Sequence, residues 1–102
     1  MQYISIMKNM YVYIMSNKVN SVLYIGVTSN LMRRVWEHKN KIIKGFTSRY
    51  NVDKLVYFEI YEDELTAITR EKELKHFNRS WKDELIDKNN PSRRDLYDEI
   101  TK

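Results

Sequence analysis

The chain has 102 residues with a formal net charge of +4; 31% of its residues are charged, 42% are hydrophobic and none is cysteine. This composition predicts one soluble globular domain and excludes a disulfide framework, a zinc finger and a cysteine nucleophile. No apolar run approaches the roughly 20 residues of a membrane-spanning helix, and the N-terminus shows no clear signal-peptide pattern. We therefore expect a cytoplasmic protein without a membrane partner. Its excess positive charge either favours an anionic partner such as nucleic acid or serves solubility.

The first two predicted elements form a β-hairpin. Residues 11–15, YVYIM, and 22–27, VLYIGV, are rich in β-branched and aromatic side chains, which is typical of strands. The polar, Asn-containing segment between them is typical of a turn. With a four-residue loop, Tyr13 would lie opposite Tyr24, and both phenols would point to one face beside Gly26.

A helix is predicted after the hairpin, where Thr, Ser and Asn residues can cap its start. Leu31, Val35 and Ile42 share one face of this helix. Arg34 and His38 fall on the same face. Because an inward-facing guanidinium without a partner is costly, either the edge of this face is wet or an anion binds the arginine.

The rest of the chain combines one strand with further helices. Gly45 is predicted to end the first helix, and residues 54–61, KLVYFEIY, form a third strand whose apolar residues on both faces indicate a central, covered position. A second helix begins near the acidic residues 62–64. A further helical stretch covers residues 80–87, and residues 92–102 form a last short helix or a tail.

One acidic residue of the second helix lies in its apolar row. Glu71 follows Ala67 by four residues and precedes Leu74 by three, so its carboxylate shares the face of two core residues. A salt bridge to Lys75 would contribute only about 0.2–0.5 kcal/mol, which is too little to explain an acid at this position. We therefore expect Glu71 to be a ligand.

These features together resemble the GIY-YIG nuclease family. YVY at 11–13 stands in place of the first signature, and YIG at 24–26 is intact. LMRRVWEH at 31–38 is similar to the LxxRxxxH helix of the family, and REKELK at 70–75 resembles its acidic helix. The resemblance covers residues 10–91. It is greatest to the short, single-domain bacterial members, which are similar to the nuclease domain at the start of the excision-repair endonuclease.

The resemblance implies an α/β fold with a small, mainly antiparallel three-stranded sheet flanked by helices. The domain would comprise residues 10–91, with residues 1–9 as an N-terminal tail and 92–102 as a C-terminal short helix or tail. The implied activity is that of a divalent-metal-dependent endonuclease acting on phosphodiester bonds in DNA, with a connection to DNA repair. Such a protein would be a monomer or a weak dimer.

The resemblance also implies the site residues. Tyr13 would activate or orient the attacking water, Tyr24 would position water and phosphate, and Arg34 would clamp the phosphate. Glu71 would hold one Mg²⁺ or Mn²⁺, which needs few protein carboxylates. His38 would lie near the site, and it rivals Tyr13 as general base because a phenol has a pKa of about 10. Supporting roles fall to Gly26 and Asn90. The residues expected to bind the nucleic-acid backbone are Lys41, Lys44, Arg49, Lys75 and Arg79.

The same residues also allow purely structural interpretations. The two tyrosines could be a core pair, Arg34 could pair with Glu37 or Glu71 at the surface, and His38 could be a hydrogen-bonded core histidine. The alternative functions are a non-catalytic nucleic-acid-binding module on a nuclease-like fold and an interaction protein that binds a partner through its hairpin tyrosines.

Overall fold

The computed structural model describes residues 9–102, so most of the predicted N-terminal tail lies outside the described residues. The elements are, in chain order, β1 (Met10–Ser16), β2 (Leu23–Thr28), α1 (Leu31–Lys39), α2 (Phe46–Arg49), β3 (Lys54–Tyr61), α3 (Glu64–His76), α4 (Arg79–Asn89) and α5 (Tyr97–Ile100). The strands form one antiparallel sheet in the order β2-β1-β3. This confirms the expected α/β fold with a three-stranded sheet. Among residues 9–102, no helix combines the length and the apolar character needed to cross a bilayer.

One face of the sheet is covered by α3 and α4. Val12 and Ile14 of the central strand β1 pack there against Ala67 and Leu74 of α3 and Ile86 of α4, and all five are fully buried. Successive side chains of a strand point to opposite faces. Tyr13, between Val12 and Ile14, and Met15, after them, therefore point to the other face.

The second face is covered by α1 and by the chain that leads into α5. Tyr13 and Met15 of β1 pack there against Leu31 and Val35 of α1, together with Leu96. Helices thus flank both faces of the sheet, as expected. The helix with Arg34 and the helix with Glu71 therefore lie on opposite faces.

The hairpin pairs differently from the expectation. Tyr13 lies opposite Gly26, not opposite Tyr24, because the loop between the strands has six residues instead of four. The Asn17 side chain stabilises this longer loop by accepting hydrogen bonds from the backbone N–H groups of residues 21–22. Because the register shifts by two residues, both tyrosines still point to the same face.

The first helix is shorter than expected. Asn30 caps its start through its side chain, in agreement with the predicted capping segment, and the helix ends at Lys39. Lys41 has a φ of 54°, a left-handed conformation in which the chain leaves the helix direction. Ile42 is therefore 53% exposed and does not extend the apolar face. Gly45 precedes α2 instead of ending α1.

A β-bulge in β3 changes which of its residues share a face. Leu55 pairs with Met15 and Tyr57 pairs with Ile14, so Val56 between them is the extra residue. Val56 and Tyr57 consequently both face α3. A regular strand would place these two neighbouring residues on opposite faces, but a bulge inserts one residue into the ladder and interrupts the alternation. The expected central position of β3 is wrong, because β1 occupies it.

The chain after α4 is fixed to the domain. The N–H of Leu96 donates to the carbonyl of Leu55 at 2.8 Å, and the Asp95 carboxylate accepts the N–H of Leu55 at 3.2 Å. Asp95 also forms an ion pair with Lys39 at the end of α1. These contacts attach the predicted C-terminal helix or tail to both α1 and β3.

Candidate active site

Gly26 makes room for the buried tyrosine of β1. Tyr13 is completely buried, and its hydroxyl lies over the Cα of the directly opposed Gly26. A Cβ atom at position 26 would approach the hydroxyl oxygen and two ring carbons of Tyr13 to less than 3.0 Å. Any other residue would therefore displace the phenol. This contact gives Gly26, an expected supporting residue, a steric role.

The Tyr13 hydroxyl is hydrogen-bonded to a buried histidine of α1. It lies 3.0 Å from Nε2 of His38, and Nδ1 of the same ring lies 3.0 Å from the hydroxyl of Thr47. His38 is 2% exposed and Thr47 is 4% exposed. Thr47 could not be identified from the sequence, because a threonine in a polar segment carries no signal that it is buried. The structure thus links three side chains from β1, α1 and α2.

His38 is neutral near pH 7. Burial, and to a smaller extent the positive charge of Arg34, lower its pKa to about 4, although the carboxylate of Glu37 opposes both effects. A neutral imidazole has one donor and one acceptor nitrogen. Two proton arrangements therefore satisfy both hydrogen bonds. In one of them Tyr13 donates to Nε2 while Nδ1–H donates to Thr47, and in the other both bonds are reversed.

The Tyr13 phenol is protonated in the free protein. Burial raises its pKa most, the nearby Tyr24 adds to this, and the guanidinium of Arg34 lowers the pKa by less. Arg34 favours the phenolate form of Tyr13, but burial outweighs its effect. The carboxylate of Glu71 raises the same pKa and is the smallest of these influences. The pKa of the Tyr13 hydroxyl is therefore influenced by Tyr24, Arg34 and Glu71.

Tyr24 lies beside this pair on the same face. Its ring centroid is 6.3 Å from that of Tyr13 and 5.4 Å from that of His38. Unlike Tyr13, it is only partly buried. The two phenols are therefore neighbours, as expected, although they are diagonal and not directly opposed.

Arg34 is positioned at the edge of the site. Its side chain is 38% exposed and pairs with Glu37 at 3.3 Å, which is one of the two structural pairings considered above. Exposed pairs of this kind contribute about 0.2–1 kcal/mol. The guanidinium can therefore exchange Glu37 for an anionic ligand at little cost.

Glu71 approaches from the opposite side of the sheet. Its side chain is 14% exposed and pairs with the ammonium group of Lys75 at 2.9 Å. The salt bridge that the four-residue spacing allows between Glu71 and Lys75 is therefore present. Within residues 9–102, Glu71 is not part of any group of three or more His, Cys, Asp or Glu side chains that could hold a metal ion, because no such group is present. A cation bound to Glu71 would thus complete its shell with other oxygen ligands, such as water.

A charge network holds α3 on β3 next to this acid. The Glu59 carboxylate of β3 accepts hydrogen bonds from the Tyr57 and Tyr61 hydroxyls and from two guanidinium nitrogens of Arg70, at 2.9 and 3.0 Å. Burial raises the pKa of Glu59, but these hydrogen bonds together outweigh burial and lower it. Arg70 directly precedes Glu71, so the network fixes the position of the candidate ligand along the sheet.

Asn90 supports the fold and not the cluster around Tyr13. It is 4% exposed, and its side-chain amide donates to the carbonyls of Val56 and Arg94. It also forms the C-terminal cap of α4. Its partners belong to β3 and to the segment after α4.

The expected nucleic-acid-binding residues fall into two groups. Lys44 and Arg49 are exposed beside α2, and the exposed Lys41 donates to a nearby asparagine side chain. Lys75 pairs with the candidate metal ligand. Arg79 binds two carbonyls of the hairpin loop and an aspartate of its own helix. Lys75 and Arg79 therefore have partners within the protein, and the residues around α2 are the more available cations.

Comparisons with known proteins show the family of this chain. The family model of the GIY-YIG catalytic domain matches residues 9–84. A UPF0213 protein from Clostridium perfringens is 41% identical over 76 residues, which cover 74% of this chain and 81% of the relative. A UPF0213 protein from Haloquadratum walsbyi is 35% identical over 77 residues, which cover 76% and 85% of the two chains.

A solved structure is similar as well. The solution NMR structure of a UPF0213 protein from Bacillus halodurans has 29% sequence identity and a TM-score of 0.52, and the match covers 80% of this chain and 86% of that one. The chain belongs to the GIY-YIG family, which is a family of nucleases.

Proposed function

We propose that this protein is a divalent-metal-dependent endonuclease that hydrolyses phosphodiester bonds in DNA. The observation that carries the proposal is the hydrogen bond between buried Tyr13 and neutral His38, beside the charge of Arg34. A core tyrosine–histidine pair needs no cation for its stability. A planar, permanently charged group at the edge of such a pair fits the oxygens of a phosphate.

In this proposal, Tyr13 and His38 share the role of general base. The oxygen of the attacking water bonds to phosphorus while its proton passes to the Tyr13 oxygen, and the phenolic proton passes to Nε2 of His38. The bond from phosphorus to the leaving oxygen breaks, and that oxygen takes a proton from solvent. Thr47 accepts the Nδ1–H and so keeps Nε2 available as the acceptor. A bound phosphate brings negative charge that favours the imidazolium, which burial disfavours.

Arg34 and Tyr24 would hold the phosphate during this reaction. The guanidinium of Arg34 would leave Glu37 and bind two phosphate oxygens, because its fork matches their spacing. Tyr24, partly buried next to both Tyr13 and His38, would orient the water or a phosphate oxygen. Preorganised donors of this kind typically contribute about 100- to 1,000-fold each to the rate.

Glu71 is the residue that would hold the metal ion. Its carboxylate is paired with the ammonium group of Lys75, and a divalent cation would have to displace that group. A hard oxygen ligand suits Mg²⁺ or Mn²⁺, and Mg²⁺ usually takes only one or two protein carboxylates and keeps several waters. When bound, the cation would neutralise charge on the phosphate.

A non-catalytic nucleic-acid-binding module is the second candidate. The observation that favours it is the pairing of Glu71 with Lys75, because a carboxylate that is satisfied by an ammonium group does not require a metal ion. In that case Arg34 would bind a phosphate without hydrolysis.

The test is cleavage of end-labelled DNA in Mg²⁺, in Mn²⁺ and in EDTA, on single-stranded, nicked, branched and blunt duplex substrates. We expect metal-dependent cleavage by the wild type, about 100-fold or greater losses in Tyr13→Phe and Arg34→Ala, and no cleavage by Glu71→Gln. Arg33→Ala is the matched control, because Arg33 lies on the same helix and pairs with the same Glu37 but is 73% exposed.

The control separates the local role of Arg34 from a general loss of positive charge. Arg33→Ala should retain cleavage within about twofold, since exposed substitutions change little. Pure protein that binds these substrates and never nicks them would support the binding module. Equal losses in Arg33→Ala and Arg34→Ala would contradict the proposed phosphate clamp.

A further inference from the structure

Three neighbouring aromatic rings lead from the candidate active site to the surface; the inner two are stacked, and the outer two are tilted by 52° to each other. The ring of Tyr24 is stacked by Phe46, with centroids 6.4 Å apart and an angle of 28° between the rings. Phe46 in turn contacts Tyr50, with centroids 5.0 Å apart. Phe46 is 48% exposed and Tyr50 is 47% exposed. The two outer rings are therefore open to a ligand that continues the stack.

The segment with the two outer rings is fixed relative to the site. Gly45 has a φ of 119°, which glycine adopts without strain, and the chain turns there into α2. The hydroxyl of Thr47 binds His38, and the carbonyl of Thr47 accepts the N–H of Val52 at 2.9 Å. Phe46, directly before Thr47, thus has a defined position beside the reacting groups.

The same segment is basic. Residues 38–52 contain no Asp or Glu. Lys44 and Arg49 flank the outer rings and are exposed. The guanidinium carbon of Arg49 lies 6.0 Å from the centroid of the Tyr50 ring. Exposed aromatic rings next to cations are typical of surfaces that bind single strands, where the rings stack bases and the cations contact phosphates.

We propose that Phe46 and Tyr50 stack an unpaired base next to the scissile phosphate, so that the DNA substrate is single-stranded at the cut site. This inference rests on the proposed function, because Tyr24 is the ring that joins the stack to the site. In a duplex, neighbouring bases cover both faces of each base. An unpaired base can place its face on an exposed aromatic ring.

The test measures binding without cleavage. Fluorescence anisotropy in EDTA compares a labelled single strand with the same sequence as a blunt duplex, using wild type, Phe46→Leu and Tyr50→Leu. Leucine keeps the apolar bulk and removes the aromatic face. Trp81→Leu is the matched control, because Trp81 is 56% exposed and lies on α4 against Phe77. Thermal unfolding of each variant identifies any loss of fold.

We expect the wild type to bind the single strand more tightly than the duplex, and each of Phe46→Leu and Tyr50→Leu to weaken single-strand binding about 5- to 150-fold. Trp81→Leu should change it by less than about twofold. A 2-aminopurine base in the strand should lose fluorescence on binding wild type but not Phe46→Leu. Equal affinity for strand and duplex, or unchanged binding by folded Phe46→Leu, would overturn the inference.

This experiment separates the two proposals. Selective binding of single strands that depends on Phe46, with no cleavage in Mg²⁺ or Mn²⁺, would support the aromatic platform and refute the nuclease activity. Metal-dependent cleavage of intact duplex, with no effect of Phe46→Leu, would support the nuclease activity and refute the platform.

Discussion

Lowering the pH should destabilise the fold through His38. Burial and the charge of Arg34 hold the pKa of His38 at about 4, whereas the ordinary value is 6.5. The unfolded chain therefore binds a proton as the pH falls through about 6.5, and the folded chain binds it only near pH 4. Because the unfolded state binds more protons across this window, the free energy of unfolding decreases as the pH falls.

The magnitude follows from the two pKa values. At about 1.36 kcal/mol per pKa unit, His38 should lower the free energy of unfolding by about 2 kcal/mol at pH 5 and by about 3 kcal/mol at pH 4. Solvent screening does not reduce this effect, since His38 is only 2% exposed. The total free energy of unfolding of a small domain is about 5–15 kcal/mol, so a change of this size is large enough to measure.

The assay is urea unfolding at pH 7 and pH 5, followed by tryptophan fluorescence. Wild type and His76→Gln, a control at an exposed histidine of α3, should lose about 2 kcal/mol more between these pH values than His38→Gln. Carboxylates with a lowered pKa, such as Glu59, also make stability depend on pH, but at lower pH than His38. Their contribution is the same in all three proteins and therefore cancels in the comparison. Equal pH dependence in His38→Gln and wild type would refute the reasoning. An NMR titration of the His38 ring in the wild type, with a midpoint below 5, tests the same point without a variant.

Two further substitutions test the site geometry. Gly26→Ala should place a methyl group against the phenol of Tyr13. We therefore expect the free energy of unfolding, measured in urea, to fall by about 1–3 kcal/mol and cleavage in the DNA assay to decrease. A stable, fully active variant would contradict the close packing of Tyr13 on Gly26. Lys75→Met removes the ammonium group that competes for the Glu71 carboxylate, so it should tighten Mn²⁺ binding in electron paramagnetic resonance titrations; unchanged affinity would show that the cation binds elsewhere.

The identity of the central side chains could be predicted from the sequence because strand alternation depends only on odd and even positions. A register shift of two residues leaves every side chain on the same face of the sheet. The wrong loop length therefore did not change the prediction that Tyr13, Tyr24 and Gly26 share a face. The helical spacing likewise placed Arg34 and His38 on the side of α1 that faces these residues.

Other features could not be predicted because they depend on contacts that residue type and spacing do not reveal. The bulge at Val56 reverses the faces of Tyr57 and Glu59, although the local sequence alternates regularly. The side chain of Asn17 stabilises a six-residue loop whose composition suits a shorter one as well. Thr47 gains its role only because α2 folds back over the histidine of α1.

The position of β2 at the edge of the sheet explains how residues from both faces can form one site. Tyr13 lies on the face of α1, and Glu71 belongs to α3 on the other face, so a central strand between them would separate the two groups. Instead, the Tyr13 hydroxyl lies over Gly26 of the edge strand, where α3 also packs. Within residues 9–102, the sheet has no further strand beyond β2. In the proposed mechanism, a phosphate at that edge would contact Arg34 on one side and the Glu71 carboxylate on the other. The Tyr13 hydroxyl would reach this phosphate only because Gly26 has no side chain to displace the phenol.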